Sequence, residues 1–345
     1  MQQVPLGRGG PLVSRAGLGL MAMSGVYGPA DEIRSLLTIR SALDAGITLL
    51  DTADFYGMGL GELLLRDALT GGDRERVFIA VKFGAQRDPA GAFVGYDARP
   101  AAVKTALAYT LTRLGTSYVD LYQPARLDPD VPIEETVGAI AELIQAGYVR
   151  CLGLSEVGAD TLRRAHAVHP VSALQIEYSL LSRGPEAEIL PAARELGVSV
   201  TAYGVLSRGL LSAAARQLPP DDPRPRRFPR FQGQNLQRNL ELAAGLEQFA
   251  RAAGVTLPQL AFAWVLSRGE DIIPLIGTTR ASRLAEVLGA LELQLSPDEQ
   301  AALAAAAEPS QVAGQRYDDA GMASLDSEKK SSGIRDRGSE ASSRR

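Results

Sequence analysis

The chain has 345 residues, 46% hydrophobic and 22% charged, with 36 Lys plus Arg against 40 Asp plus Glu, for a net charge of −4. That balance excludes a strongly basic nucleic-acid binder and a wholly disordered chain. No apolar run approaches the ~18–20 residues of a membrane span, and MQQVPLGRGG lacks the apolar stretch of a signal peptide. The single cysteine, Cys151, excludes an internal disulfide, so a reducing cytoplasm is the expected location. With only His166 and His169 present, a zinc site of the usual kind is excluded, and no metal is expected.

In chain order, QQVPLGRGGPLVSRAG suggests an opening hairpin, with a glycine-rich turn between two apolar pieces. Short, turn-bounded apolar runs follow at Ala16–Leu20, Ile47–Leu50, Val77–Val81, Tyr118–Tyr122, Val149–Leu154, Ala173–Ile176, Val198–Tyr203 and Ile272–Ile276. Each predicts a strand buried on both faces. Helical spacing separates them. DEIRSLLTIRSALDAG opens on Asp31 as N-cap, and RPAAVKTALAYTLTRLG carries Pro100 in its first turn and Gly115 at its C-cap. VPIEETVGAIAELIQAG and LPQLAFAWVLSRG repeat the arrangement, and Trp264 in the latter reads as core. Eight strands returning through helices must pair in parallel, and eight repeats in this length predict a single (β/α)8 barrel over residues 1–310.

Two segments depart from the alternation. Residues 213–236 hold five prolines and five arginines, and a loop this long suggests a flexible cover over a bound anion. Residues 311–345 form a C-terminal tail, whose last stretch, SSGIRDRGSEASSRR, is expected to be disordered.

In such a barrel the reacting residues stand at the C-terminal ends of the strands. The second strand ends LLDTADFYG, with Asp51 and Tyr56, and the third ends VFIAVKFG, with Lys82. An ammonium closing an apolar strand needs a counter-ion, and Asp51 is the neighbour able to supply one. A cation beside Tyr56 favours the phenolate, so the expectation is a lowered phenol pKa and a tuned general acid. The glycine cluster GMGLGE fails the dinucleotide spacing, because Glu62 stands where the third glycine is needed.

The succession DTADFYG, VKFG, DLYQ, GLSE, LQIEYS, AYGVLSRGLL and IPLIGTTRASRLAEVLGAL resembles the aldo-keto reductase superfamily over roughly residues 6–310. It is most similar to the bacterial and plant branch with a long loop after the seventh strand. The resemblance implies a barrel that binds NADPH and reduces a small aldehyde or ketone, with Asp51, Tyr56 and Lys82 as three members of a catalytic tetrad. Ala125 occupies the position where relatives carry the fourth, a histidine, and neither His166 nor His169 is placed to replace it. Pyridoxal reductase-like relatives resemble this variant.

For the cofactor the resemblance implies Gly19 and Leu20, then Ser155, Glu156 and Gln175 at the nicotinamide amide, and Tyr203 stacking on the ring. Leu206, Arg208 and Gly209 would follow the pyrophosphate. Gly277, Thr278, Thr279, Arg283 and Glu286 would hold the adenosine phosphate, with Val287 in place of a frequent asparagine. The readings carried beside this one are a non-enzymatic NADPH-binding regulatory subunit and a reductase of activated C=C bonds. Oligomeric state is not legible.

Overall fold

The computed structural model describes residues 1–28 and 30–329. Residues 331–345, expected to be disordered, lie outside the described residues. The hairpin β1 (Gln3–Pro5) and β2 (Leu12–Ser14) precedes β3 (Gly17–Gly19), α1 (Glu32–Asp44), β4 (Leu49–Ala53), α2 (Leu60–Ala68) and β5 (Phe78–Phe83). A second hairpin, β6 (Ala85–Arg87) with β7 (Phe93–Tyr96), leads to α3 (Pro100–Leu114), β8 (Val119–Pro124), α4 (Ile133–Gln145) and β9 (Val149–Ser155). Then come α5 (Ala159–Val168), β10 (Val171–Glu177), α6 (Ile189–Leu196) and β11 (Ser199–Tyr203). The short α7 (Arg224–Arg227) precedes α8 (Gly233–Ala252), α9 (Leu257–Leu266), β12 (Ile272–Gly277), α10 (Ala281–Leu288), α11 (Pro297–Ala306) and α12 (Asp319–Ala323).

Eight of these strands close a parallel barrel in the order β10-β11-β12-β3-β4-β5-β8-β9. The (β/α)8 barrel and its N-terminal hairpin are as expected. Helix boundaries follow the local chemistry. The Asp31 carboxylate accepts from the Arg34 N–H at 3.0 Å, and α9 begins with a capping box between Thr256 and Gln259. Gly115 ends α3 at φ +65°, where a side chain would be strained.

Two apolar cores result. The larger lies between sheet and helices. The smaller fills the barrel with alternate residues of each strand, among them Leu49, Phe78, Leu121, Ala173 and Ile273, and Cys151 packs against it. Val4, Leu6 and Val13 of the opening hairpin belong to this inner core and cork the bottom of the barrel. Trp264 is fully buried on α9, 5.6 Å from the Tyr178 ring and flanked by the guanidiniums of Arg183 and Arg268.

The β6–β7 hairpin was not among the expected elements; its strands are short and mostly exposed, so no buried apolar run announces it. Residues 213–236 are folded. Arg224 pairs with Asp222 at 2.7 Å and donates to the Arg208 carbonyl, while Arg230 is buried against Ser182 and Glu177. Among the described residues, no single helix is long and apolar enough to cross a membrane.

Candidate active site

Register brings the catalytic candidates together. Asp51 on β4 lies opposite Ala80 on β5, so Lys82, two residues further, projects into the same interior one level higher. Its ammonium donates to Asp51 Oδ1 at 2.6 Å and to the Thr52 carbonyl at 3.1 Å. The other Asp51 oxygen accepts from Gln175 Nε2 at 2.7 Å, a bond that crosses the barrel from β10. Tyr56, in the turn after β4, sets its ring 5.0 Å from the ammonium. Asp51, Lys82 and Tyr56 are all buried, at 4%, 3% and 8% exposure.

The phenol responds opposite to expectation. Burial, then the Asp51 carboxylate, push Tyr56 well above an ordinary tyrosine. Lys82 does not counter this because its charge is already met by Asp51, leaving a neutral pair beneath the ring. Burial also lowers Lys82 itself, more than Asp51 raises it. The cation that draws Tyr56 downward is Arg126, the residue after Ala125.

The wall formed by β9, β10 and β11 is sealed by the chain's own C-terminal segment. Glu156 follows β9 with φ +53°, a left-handed conformation that costs a non-glycine residue on the order of 1–3 kcal/mol. Its carboxylate accepts from Arg316 at 2.9 and 3.1 Å, from Ser327 Oγ at 2.5 Å and from the Tyr203 hydroxyl at 2.8 Å. Burial is the largest single effect and opposes its charge, yet Arg316, Arg126 and Ser327 together hold it down at about 2. Arg316 also reaches Glu177 at 3.3 Å and Glu328 at 2.6 Å. Its neighbour Tyr317 bonds hydroxyl to hydroxyl with Tyr203 at 3.0 Å and lies under the Arg208 guanidinium. Sequence reasoning passed over Arg316 and Tyr317, which stand in a segment with little large apolar content. An Arg-Tyr pair amid small residues was the available signal.

The residues assigned to the nicotinamide end are therefore brought together, but Glu156 and Gln175 already have protein partners. The residues expected at the adenosine phosphate lie in an open region. Gly277 is exposed, with nothing within 4 Å of where a side chain would begin. No side chain caps α10, and Arg283 in its first turn is exposed, with Thr278, Thr279 and Glu286 nearby in sequence. Leu206, Arg208 and Gly209 follow β11, and Ser207, Arg208 and Gly209 all have positive φ. Gly19 and Leu20 stand at the end of β3, where the Leu20 N–H donates to the Asp51 carbonyl at 2.9 Å. Val287 is buried in the core. His166 accepts the Val171 N–H through Nδ1 at 3.2 Å, beside the start of β10 and away from the mouth, as expected. Among the described residues no group of acidic, histidine or cysteine side chains is arranged to hold a metal.

Comparison with known proteins places this geometry. The sequence pattern of the aldo/keto reductase family matches residues 15–308. A probable aldo-keto reductase of Glycine max is 41% identical over 320 residues, covering 92% of each chain. The solved glycerol dehydrogenase of Gluconobacter oxydans superposes with a TM-score of 0.77 at 30% identity, over 87% of this chain and 94% of that one. An aldo-keto reductase of Bacillus halodurans in its holo form gives 0.75 at 28% identity, over 90% and 97%. The barrel thus has its counterpart in one family: this chain belongs to the aldo/keto reductases, oxidoreductases that act on carbonyl substrates.

Proposed function

We propose that the protein reduces an aldehyde or ketone to the alcohol with NADPH, and that Tyr56 is the proton donor. The observation that carries this reading is the dry Asp51–Lys82 pair, closed at 2.6 Å directly beneath the Tyr56 ring. A neutral ion pair adds no net charge that would strip the phenol of its proton. Burial keeps Tyr56 protonated through the physiological range, so the donor is loaded before substrate arrives. After transfer, the phenolate regains its proton from solvent. The pair and Gln175 hold the floor rigid while the ring orients the carbonyl oxygen.

The residues fit NADPH best at its phosphates. The uncapped start of α10, the open approach at Gly277 and the free charge of Arg283 suit the adenosine phosphate. Thr278, Thr279 and Glu286 would frame it, Leu206, Arg208 and Gly209 would follow the pyrophosphate, and Gly19 and Leu20 would line the path between. Ser155, Gln175 and Tyr203 would meet the nicotinamide, with Glu156 positioned through Tyr203. When bound, NADPH supplies the hydride that the carbonyl carbon accepts. With Ala125 buried where a donor would help to place the carbonyl, a substrate that orients itself through its own polar groups, of the pyridoxal type, is favoured. The lone cysteine supports a cytoplasmic setting.

The test is NADPH oxidation with pyridoxal, 4-nitrobenzaldehyde and a dione, before and after Tyr56→Phe. Loss of a general acid lowers turnover by roughly 10²–10⁴-fold and leaves NADPH affinity nearly unchanged. An undiminished rate in Tyr56→Phe sinks the assignment.

A further inference from the structure

Of five arginines on the β8–β11 side of the barrel mouth, namely Arg126, Arg208, Arg224, Arg230 and Arg316, four find a carboxylate. Arg208 pairs with Glu177 at 3.2 Å, Arg316 with Glu156 at 2.9 Å, Arg230 with Glu177 at 3.8 Å and Arg224 with Asp222 at 2.7 Å. Arg126 forms no ion pair among the described residues. Its Nη1 donates to the Ala125 carbonyl at 2.6 Å, and its remaining contacts are long: 3.5 Å to Ser155 Oγ and 3.4 Å to the Tyr317 hydroxyl. Around Glu156, Glu177 and Glu328 stand four guanidiniums, those of Arg126, Arg208, Arg230 and Arg316, so one positive charge is left over. Arg126 is half-buried, and a guanidinium partly withdrawn from water with no carboxylate bonded to it has donors left to receive a negative charge.

The charge left over is not at the phosphate end of the proposed cofactor site. Arg126 follows β8, and the barrel order puts β8 diametrically opposite β12, whose turn into α10 carries Gly277 and Arg283. It stands instead near Tyr56, whose phenol feels its charge, and against Tyr317, whose ring and hydroxyl complete the corner.

We propose that Arg126, with the hydroxyl of Tyr317, is a carboxylate-binding subsite, so that the carbonyl compound reduced here carries a carboxylate. The inference rests on the reading of Tyr56 as proton donor in the same mouth. The subsite takes no part in the redox balance. The carbonyl carbon gains hydride from NADPH, the π pair moves to oxygen, the Tyr56 O–H bond breaks as the alcohol O–H forms, and Arg126 stays protonated.

The experiment compares 4-carboxybenzaldehyde and succinic semialdehyde with their methyl esters, using NADPH and the wild-type, Arg126→Gln and Arg126→Lys proteins. In wild type kcat/KM for at least one acid should exceed that for its ester by about ten- to a hundredfold. Arg126→Gln should erase the preference by raising KM for the acid, with any change in turnover that acts through Tyr56 shared equally by acid and ester, and Arg126→Lys should restore part of the preference. Equal rates for acids and esters in wild type overturn the proposal. So does an equal fall for both in Arg126→Gln, which would put the guanidinium on the carbonyl oxygen instead. A binding arm separates this from failure of the reductase reading. Calorimetric titration with terephthalate should show binding to wild type and at least tenfold weaker binding to Arg126→Gln, whether or not any aldehyde turns over. Equal terephthalate affinities overturn the subsite while leaving the reductase reading intact.

Discussion

At the end of β12, Gly277 is open to solvent, α10 begins without a capping side chain and Arg283 projects outward. At the ends of β9 and β10, on the same rim, Glu156 and Gln175 are buried and bonded to Arg316, Ser327 and Asp51. An anion that meets the first region gains new bonds and gives up only water. A ligand that meets the second must exchange bonds already made inside the protein, so its net gain there is small. Affinity should therefore be concentrated at the β12 turn, and selectivity and conformational control at the sealed wall.

The sharpest way to break this contrast is to unseal the wall. Arg316→Ala leaves Glu156 and Glu177 without a shared buried cation, and removing one partner of a buried pair costs on the order of 3–5 kcal/mol. Denaturant titration should show that loss at neutral pH. A cost within 0.5 kcal/mol would mean that the C-terminal segment is not held as described.

Asp54 extends the comparison to a buried carboxyl with no cation of its own. One of its oxygens has no hydrogen-bond partner; burial and then Glu62, itself paired with Arg113, raise its pKa from 3.8 to about 7, while Glu156 is held at about 2. The two give opposite pH slopes. Between pH ~4 and ~7 the folded chain keeps a proton on Asp54 that the unfolded chain has lost, so Asp54 weakens stability as pH rises, by up to ~1.4 kcal/mol per unit. Glu156 contributes stability above the unfolded value near 4.5 that is lost as pH falls toward 2. Asp54→Asn should flatten the upper slope alone, as read by unfolding free energy at pH 5, 6 and 7; an unchanged slope refutes the assignment.

The open end is tested more gently. Arg283→Ala should weaken NADPH binding by roughly ten- to a hundredfold, corresponding to ~1.5–3 kcal/mol for a charge-assisted pair, with Thr278 and Thr279 favouring the lower figure. NADH, lacking the phosphate, should bind the variant as it binds wild type. Fluorescence titration with each cofactor decides it, and equal losses for both would remove Arg283 from the phosphate. The smallest effect lies outside both regions: Thr256→Ala deletes half of the α9 capping box and should cost ~1 kcal/mol by denaturant titration, with cofactor binding unaffected.

What was legible in the sequence was whatever a periodic or covalently local rule governs. The eight strands could be read because each is a short, mostly apolar run bounded by turns, and Asp51 and Lys82 could be paired because neighbouring strand ends must meet. The direction of the Tyr56 shift could not, since it depends on whether Lys82 arrives alone or already neutralised, and on how deeply the ring is buried. Arg316 and Tyr317 were hidden for a different reason. Their value comes from Glu156 and Glu177, which lie more than a hundred residues earlier, and no local pattern records that meeting. The β6–β7 hairpin escaped because its strands bury little.

The seclusion of Trp264 has a practical side. It is the chain's only tryptophan, sealed between α9 and β10 against Tyr178, behind the barrel wall and not in its mouth. Its emission therefore belongs to a single environment and cannot be quenched by contact with anything seated at the active end. A dimming on cofactor addition would report energy transfer across the wall, and so a distance. A red shift would report that the outer layer of helices has come away. One indole thus reads occupancy and integrity on separate channels, without a label being introduced.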